Sequence, residues 1–267
     1  GSAVLMAKVG NDPFGEHLID TMKGFGVDTN GILKDPAHFT TMAFVSLMET
    51  GERDFVFNRG ADGHLNKNDI NQTDINGFSI IHFGSATAFL PGALQEAYSY
   101  LLDQAVSKNI FTSFYPNYRH LLFGNNKESF IKQSWQFLER VNFFKLSDDE
   151  ALLLTGSTHL NEAVKILIEK TNAVFVITLG EKGALLRMGD KKETVPSVKA
   201  NVVDTTGAGD SFVGAVLFQL NKELLAEKRN QSVDYWIRII SYANKIAART
   251  CEHFCAMEAF KYPDLKK

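Results

Sequence analysis

Apolar residues recur along this chain with two periods, and the periods take turns. Phe14, Leu18, Ile19 and Met22 fall at helical spacing, which predicts a helix over Pro13–Phe25 with that stripe turned inward. Asn11 or Asp12 would cap it, Pro13 sits in its first turn and Gly26 follows its end. Ala3–Val9 before it reads as a strand. A different texture follows. Phe39–Asp62, FTTMAFVSLMETGERDFVFNRGAD, reads as two strands about a Glu49–Arg53 turn with no helix between them, a small β excursion suited to a lid or a dimer contact. From Ser79 the alternation becomes regular. Strands at Ser79–Phe83, Ile110–Phe114, Phe143–Leu146 and Ala173–Leu179 are interleaved with helices at Pro91–Lys108, Lys127–Val141, Asp148–Leu154 and Leu160–Lys170. Gly183–Arg187 and Glu193–Pro196 form a hairpin. Asn201–Asp204 reads as a buried strand feeding a helix that starts near Asp210, and a last helix covers Val233–Thr250. Ala173–Leu179 is apolar almost throughout, as a strand buried on both faces is. The alternation predicts an α/β fold with a mostly parallel sheet covered on both sides.

Composition narrows the function classes more than the fold. Of 267 residues, 45% are hydrophobic and 22% charged, enough to bury a sizeable core in a single large domain. A net charge of −3 argues against a nucleic-acid footprint or a basic membrane-binding face. No apolar run approaches the roughly 20 residues of a spanning helix. The expected partner is therefore a small molecule. Two cysteines, Cys251 and Cys255, are too few for a disulfide framework, and a reducing cytoplasm is the expected compartment. Their spacing around His253 admits a metal or redox pair, but two small apolar residues near a helix end is the preferred reading. His82 and His120 read as structural.

The chemistry concentrates in NVVDTTGAGDSFVGAVLFQL, from Asn201 to Leu220. In open parallel sheets ligands bind outside the carboxyl ends of the strands. The first-turn amides of a helix lack internal partners and carry the positive end of its dipole. Gly207, Ala208 and Gly209 have little or no side chain, so a bulky anion can approach the backbone, a geometry that suits phosphate. Asp210 has two readings, a helix cap or a general base. A cap does not need two glycines before it, and a carboxylate beside phosphate is repelled unless it has a task. The string is neither a Walker loop nor a dinucleotide-binding fingerprint.

The longer string D-T-T-G-A-G-D-S-F, late in an alternating α/β chain, resembles the signature of the ribokinase-like (PfkB) carbohydrate kinases. Other stretches are similar to that family in the expected order: Lys8–Thr29, Phe57–Asp62 (FNRGAD), His82–Ser85 (HFGS), Phe144–Glu150 (FKLSDDE) and Val174–Leu186 (VFVITLGEKGALL). The FNRGAD, HFGS and FKLSDDE segments look like fructokinase segments, FNRGAD like the sugar-facing edge of the lid. The resemblance covers Ala3 to about Ala259. It implies a three-layer α/β/α sandwich with a mostly parallel central sheet and a small β lid, here at about residues 30–66. It also implies that the chain begins at the family's second strand, after a G-G-x-x-N segment that supplies much of the sugar site.

The resemblance further implies roles. Asp210 would be the catalytic base, with Gly207, Ala208 and Gly209 as the anion hole for the transferring phosphate. Glu150 would hold magnesium through water. Thr178, Gly180 and Gly183 would line the nucleotide, ATP, with Asn244 near its base. Arg59 would reach the sugar from the lid, and Asn117 and Arg119 would stand near phosphates or sugar. The backbone around Asp204 and Thr206 would hold a monovalent cation, potassium, in members that use one, and lids often pair into homodimers. Each residue keeps a plainer reading: Glu150 as an N-terminal helix charge over a Ser147 cap, Thr178–Gly180 as a strand end and tight turn, Arg59 as an edge-strand charge, Asn117 and Arg119 as solvated loop. Two positions depart from the pattern. Tyr115 stands where fructokinases usually carry aspartate, and Cys255 where the family usually has glycine. The expected activity is ATP-dependent phosphorylation of a sugar hydroxyl, fructose to fructose 6-phosphate. The alternatives are a catalytically impaired homologue that binds nucleotide or sugar, and a kinase for a nucleoside or a sugar acid.

Overall fold

The computed structural model describes residues 2–47, 53–225, 232–254 and 257. In chain order the elements are β1 (Ala7–Gly10), α1 (Pro13–Gly24), β2 (Ile32–Asp35), β3 (Met42–Leu47), β4 (Arg53–Asn58), α2 (Lys67–Ile70), β5 (Ile80–Gly84) and α3 (Ala93–Ser107). There follow β6 (Phe111–Tyr115), α4 (His120–Phe123), α5 (Lys127–Leu138), β7 (Phe143–Ser147), α6 (Asp148–Thr155), α7 (Leu160–Lys170) and β8 (Val174–Thr178). The chain ends with β9 (Ala184–Met188), β10 (Lys191–Val195), α8 (Ala208–Leu225) and α9 (Val233–Thr250). These elements gather into two compact units. One is made of residues 1–78, 83–110 and 117–133, the other of 79–82, 111–116 and 134–267. No helix among the described residues is long and apolar enough to cross a membrane.

In the first unit α1 begins as the sequence predicts. The Asp12 side chain accepts the Gly15 amide at 2.8 Å, and Gly26 takes a positive φ just past the helix end. Asp12 also accepts the amide and hydroxyl of Thr40, at 2.7 and 2.8 Å. The amide hydrogen bonds from Gly15 and then Thr40 hold its carboxyl below the usual range. The expected inward stripe is only half right. Gly15 and Ile19 are buried, whereas Phe14 and Leu18 are exposed. β1 pairs in parallel with β2, from Ala7 opposite Ile32 to Gly10 opposite Asp35, and β2 had left no periodic signal. β3 and β4 form the predicted hairpin, antiparallel from Met42 opposite Asn58 to Leu47 opposite Arg53. Most of its Glu49–Arg53 turn lies outside the described residues. The outer face of the hairpin carries Phe44 and Val56, exposed and directly opposite one another.

The second unit holds a six-stranded sheet in the order β10-β9-β8-β7-β6-β5, whose edge strand β5 continues past the unit's limit. β6, β7 and β8 run parallel, and β9 and β10 are added antiparallel, as the predicted hairpin requires. Strand alternation sends Phe143, Val176, Ala184 and Leu186 to one face, where they pack with Phe212 and Val216 of α8 and Trp236 and Ile240 of α9. Phe143 and Trp236 stack with ring centroids 5.5 Å apart. Phe144 points the other way and stacks on Phe175 at 5.0 Å, while Phe114 meets Phe137 of α5 at 5.0 Å. The sheet is therefore covered by helices on both faces, and Phe175, Val176 and Ile177 are fully buried, as their apolar run implied.

One prediction fails here. Asn201–Asp204 is not a strand, and Val202 and Val203 are 64% and 61% exposed. The sheet ends at β10. Its place in the local hydrogen bonding is taken by the end of α9, where the amides of Val203 and Asp204 both donate to the Cys251 carbonyl, at 2.8 and 3.1 Å. The alternation of Asn201–Asp204 marks an extended loop clamped to a helix end, not a ladder. Loops of this kind lie at the surface and present backbone to ligands.

Candidate active site

The loop that replaced the strand ends in a tight turn. The Asp204 carboxylate accepts the Thr206 amide at 2.8 Å, and its residue is buried. The Thr205 carbonyl accepts the Ala208 amide at 3.2 Å, and Gly207 stands at φ +82, a conformation that side chains with Cβ rarely adopt. From there α8 runs for 18 residues. Its start is two residues earlier than expected, so Asp210 lies inside the first turn. The cap reading of Asp210 therefore falls, because a capping side chain precedes the helix. Asp210 is exposed. Its carboxylate thus stands on the surface, in the first turn of a long helix.

Gly209 is glycine for lack of room. A Cβ there would lie 2.6 Å from the Tyr115 hydroxyl oxygen and 3.3 Å from Lys145 Nζ. The Lys145 ammonium in turn lies 4.1 Å from the centre of the Tyr115 ring. Tyr115 ends β6 and Lys145 is the middle residue of β7, on the face that carries α8. Sequence reasoning noted Tyr115 only as a departure and gave Lys145 no role. The signal was present: a lysine inside the apolar strand FFKLS, on an inward position, where an ordinary strand face would carry an aliphatic residue.

The neighbouring strand ends hold the next group. Ser147 is opposite Thr178 in the β7–β8 register. Ser147 and Glu150 form a reciprocal capping box at the start of α6, the Glu150 amide donating to Ser147 Oγ at 3.1 Å and the Ser147 amide to Glu150 Oε2 at 2.8 Å. The plain reading of Glu150 as a cap partner is thus correct. The box holds the carboxylate at the carboxyl edge of the sheet.

After β8 the chain turns sharply. Gly180 and Gly183 take φ of +59 and +95, and the Leu179 amide closes the turn on the Gly183 carbonyl at 2.8 Å. Thr178 Oγ1 donates to the Leu146 carbonyl at 3.3 Å. Asn244, expected near a nucleotide base, has a structural task. Its buried amide nitrogen donates to the carbonyls of Val195 and Pro196, at 3.1 and 3.0 Å, and ties α9 to the end of β10. Asn244→Ala should lower stability by about 2 kcal/mol, since it orphans two carbonyls. Urea unfolding without nucleotide reads the loss; an unchanged midpoint would show that the tether carries no weight.

Arg59, Asn117 and Arg119 belong to the first unit. The Arg59 guanidinium donates to the carbonyls of Pro91 and Thr87, at 3.1 and 3.3 Å, and its Nε lies 3.7 Å from Asp62. Asn117 takes a left-handed backbone at φ +50, and Arg119 is exposed at the start of α4. The second unit alone brings together Asp204, Thr206, the Gly207–Asp210 turn, Tyr115 and Lys145, with Ser147, Glu150 and Thr178 at adjoining strand ends. Cys255 lies outside the described residues, and Cys251 is a free thiol that burial, followed by Asp204 and Glu252, pushes up in pKa. No cluster of metal-ligating side chains occurs among the described residues.

Known proteins resemble this chain in sequence and in fold. Fructokinase-2 of Oryza sativa subsp. japonica is 35% identical over 228 residues, 84% of this chain and 67% of that one. The fructokinase of Vibrio cholerae O395, solved with fructose, ADP and calcium ion, aligns with a TM-score of 0.84 at 26% identity, covering 97% of this chain and 82% of that one. An uncharacterized sugar kinase of Pyrococcus horikoshii in complex with ATP aligns with a TM-score of 0.82 at 29% identity, covering 100% and 84%. The family model of the pfkB family carbohydrate kinases matches residues 1–259, so the chain belongs to that family.

Proposed function

We propose that this chain transfers the terminal phosphoryl group of ATP to a hydroxyl of a sugar, fructose at its 6-position. The observation that carries the reading is the exposed Asp210 carboxylate in the first turn of α8, directly behind a turn with too little side chain to keep an anion from its backbone. In the reaction Asp210 takes the proton of the sugar hydroxyl as the hydroxyl oxygen forms its bond to the γ-phosphorus. The bond from that phosphorus to the β–γ bridging oxygen breaks, and its electron pair leaves on ADP. The transition state is loose, so the protein's contribution is to position the reactants and offset charge. Gly207, Ala208 and Gly209 do so with backbone amides at the positive end of the α8 dipole.

Magnesium suits the donors present. Glu150 is a carboxylate of fixed orientation at the strand edge, and magnesium takes one or two carboxylates while keeping most of its water. When bound, the ion would neutralise phosphate charge as it shifts toward ADP. Potassium at the Asp204 and Thr206 backbone is supported by the pinning of that loop to Cys251, since a carbonyl site for such an ion needs a fixed backbone. Thr178, Gly180 and Gly183 would line the nucleotide, with Asn244 behind them as support for the wall. Arg59, Asn117 and Arg119 would face the sugar and its phosphate. The β3–β4 hairpin, within a lid at about residues 30–66, would exclude water and, through Phe44 and Val56, pair with a second copy.

ADP release with MgATP and a sugar panel tests the reading. Turnover that depends on fructose is the expected result. Turnover only with ribosides or keto-sugar acids would move the substrate and keep the chemistry. Tight nucleotide binding with no turnover on any acceptor would overturn the reading in favour of an impaired homologue.

A further inference from the structure

Lys145 is 2% exposed, in the middle of an apolar strand, and its ammonium lies beside the Gly209 backbone where α8 begins. A charge held out of water acts strongly on its neighbours, because little solvent screens it. Here it adds to the positive end of the α8 dipole rather than opposing it. Two positive sources thus converge on one residue of the turn. Tyr115 accounts for how the ammonium is kept there. Its ring face receives Lys145 at 4.1 Å, and its hydroxyl oxygen crosses above Gly209, 2.6 Å from where a Cβ would stand.

We propose that Tyr115 and Lys145 form a positioning pair for the phosphoryl group at the mouth of α8, the buried ammonium supplying a fixed positive charge beside Gly209 and the tyrosine holding it in place and offering its hydroxyl over the same residue. The proposal rests on the reading of Gly207–Asp210 as the phosphoryl site, and it gives that site a charge from outside the turn. Because both groups are preset, neither reorganises as charge shifts during transfer, which is where such donors have their largest effect. It also gives Tyr115 a positive function instead of the mere loss of a carboxylate.

The test uses the full chain and the variants Lys145→Met, Lys145→Arg, Tyr115→Phe and Asp210→Asn. Methionine fills the lysine volume without charge, and a melting curve shows first that Lys145→Met folds. Its kcat should fall by about 10²-fold while KM for MgATP moves by less than about threefold. Lys145→Arg, which keeps the charge, should recover part of the loss. Tyr115→Phe keeps the ring and should lose about tenfold in kcat. A second measurement does not need turnover. Each variant is titrated with ADP and with ADP plus aluminium fluoride, a planar anion that mimics the group in flight. Lys145→Met should weaken the second and spare the first.

Normal kcat in a folded Lys145→Met protein, or equal affinities in both titrations, would overturn the pair. So would a rise of kcat in Tyr115→Phe, which would make the phenol an obstruction. Asp210→Asn separates the two levels of argument. If it abolishes turnover while Lys145→Met does not, only the pair falls. If both variants turn over normally, the phosphoryl site itself lies elsewhere.

Discussion

Asp210→Asn should lower kcat by about 10³-fold, close to 4 kcal/mol of transition-state stabilisation, with the fold untouched. The substitution is nearly isosteric and its site is exposed, so no packing is lost. What disappears is the ability to accept a proton and a negative charge beside a triphosphate. The second loss has a sign that the first lacks. A carboxylate near bound phosphate repels it, so removing that carboxylate should leave MgATP affinity unchanged or modestly improved. A base assignment therefore predicts kcat falling while nucleotide affinity holds or rises; a merely structural role for Asp210 predicts that both suffer. Steady-state kinetics and calorimetric titration of MgATP on the same protein read the two quantities. Asp210→Glu should fall between parent and Asn, since it restores the acceptor about one methylene out of place. Full turnover in the Asn variant would move the base to another residue and leave the turn as an anion site alone.

The parts of this fold that were legible in the sequence are those where local chemistry and tertiary context agree. The helix over Val233–Thr250 was read to the residue because its Ser232 cap and its apolar face point the same way. The buried strand β8 and the β9–β10 hairpin were equally plain. β2 was missed because four residues, Ile32–Asp35, are too few to show a period. Asn201–Asp204 was misread because alternation records only that a segment is extended. Whether an extended segment joins a ladder depends on what lies beside it, and here that is the Cys251 carbonyl, 47 or more residues onward in the chain. The site divides in the same way. Asp210 and the glycines announce themselves within one string. The nearness of Tyr115 and Lys145 to Gly209 depends on the register of β6 and β7 under α8, which no single segment encodes. Asn244 was given a role by resemblance alone, and its hydrogen bonds to Val195 and Pro196, about 50 residues back in the chain, left no local signal.

The wall that Asn244 supports sets up the second large effect. Gly183→Ala should destabilise the protein by about 4 kcal/mol, from left-handed backbone strain of about 1–3 kcal/mol and overpacking of similar size. Gly183 stands at φ +95, and a Cβ there would lie 2.2 Å from the Val195 carbonyl oxygen, 2.6 Å from the Ser197 amide nitrogen and 2.8 Å from the Pro196 carbonyl carbon. All three are backbone atoms, so no side chain can swing aside to make room. Nor can the backbone retreat freely, because Asn244 grips the carbonyls of Val195 and Pro196. The melting temperature should drop by roughly 10 °C. KM for MgATP should rise as well, since the turn that closes on Gly183 is the proposed edge of the nucleotide site. A drop of less than about 2 °C would mean that the 195–197 segment yields easily, and the close approach would lose its meaning. The tether makes a sharper demand. In an Asn244→Ala background the wall is released from one side, and the alanine at 183 should cost about 1 kcal/mol less than in the parent. Strict additivity of the two substitutions would show that the glycine and the asparagine act on the wall independently, and that the turn is held by its own φ alone.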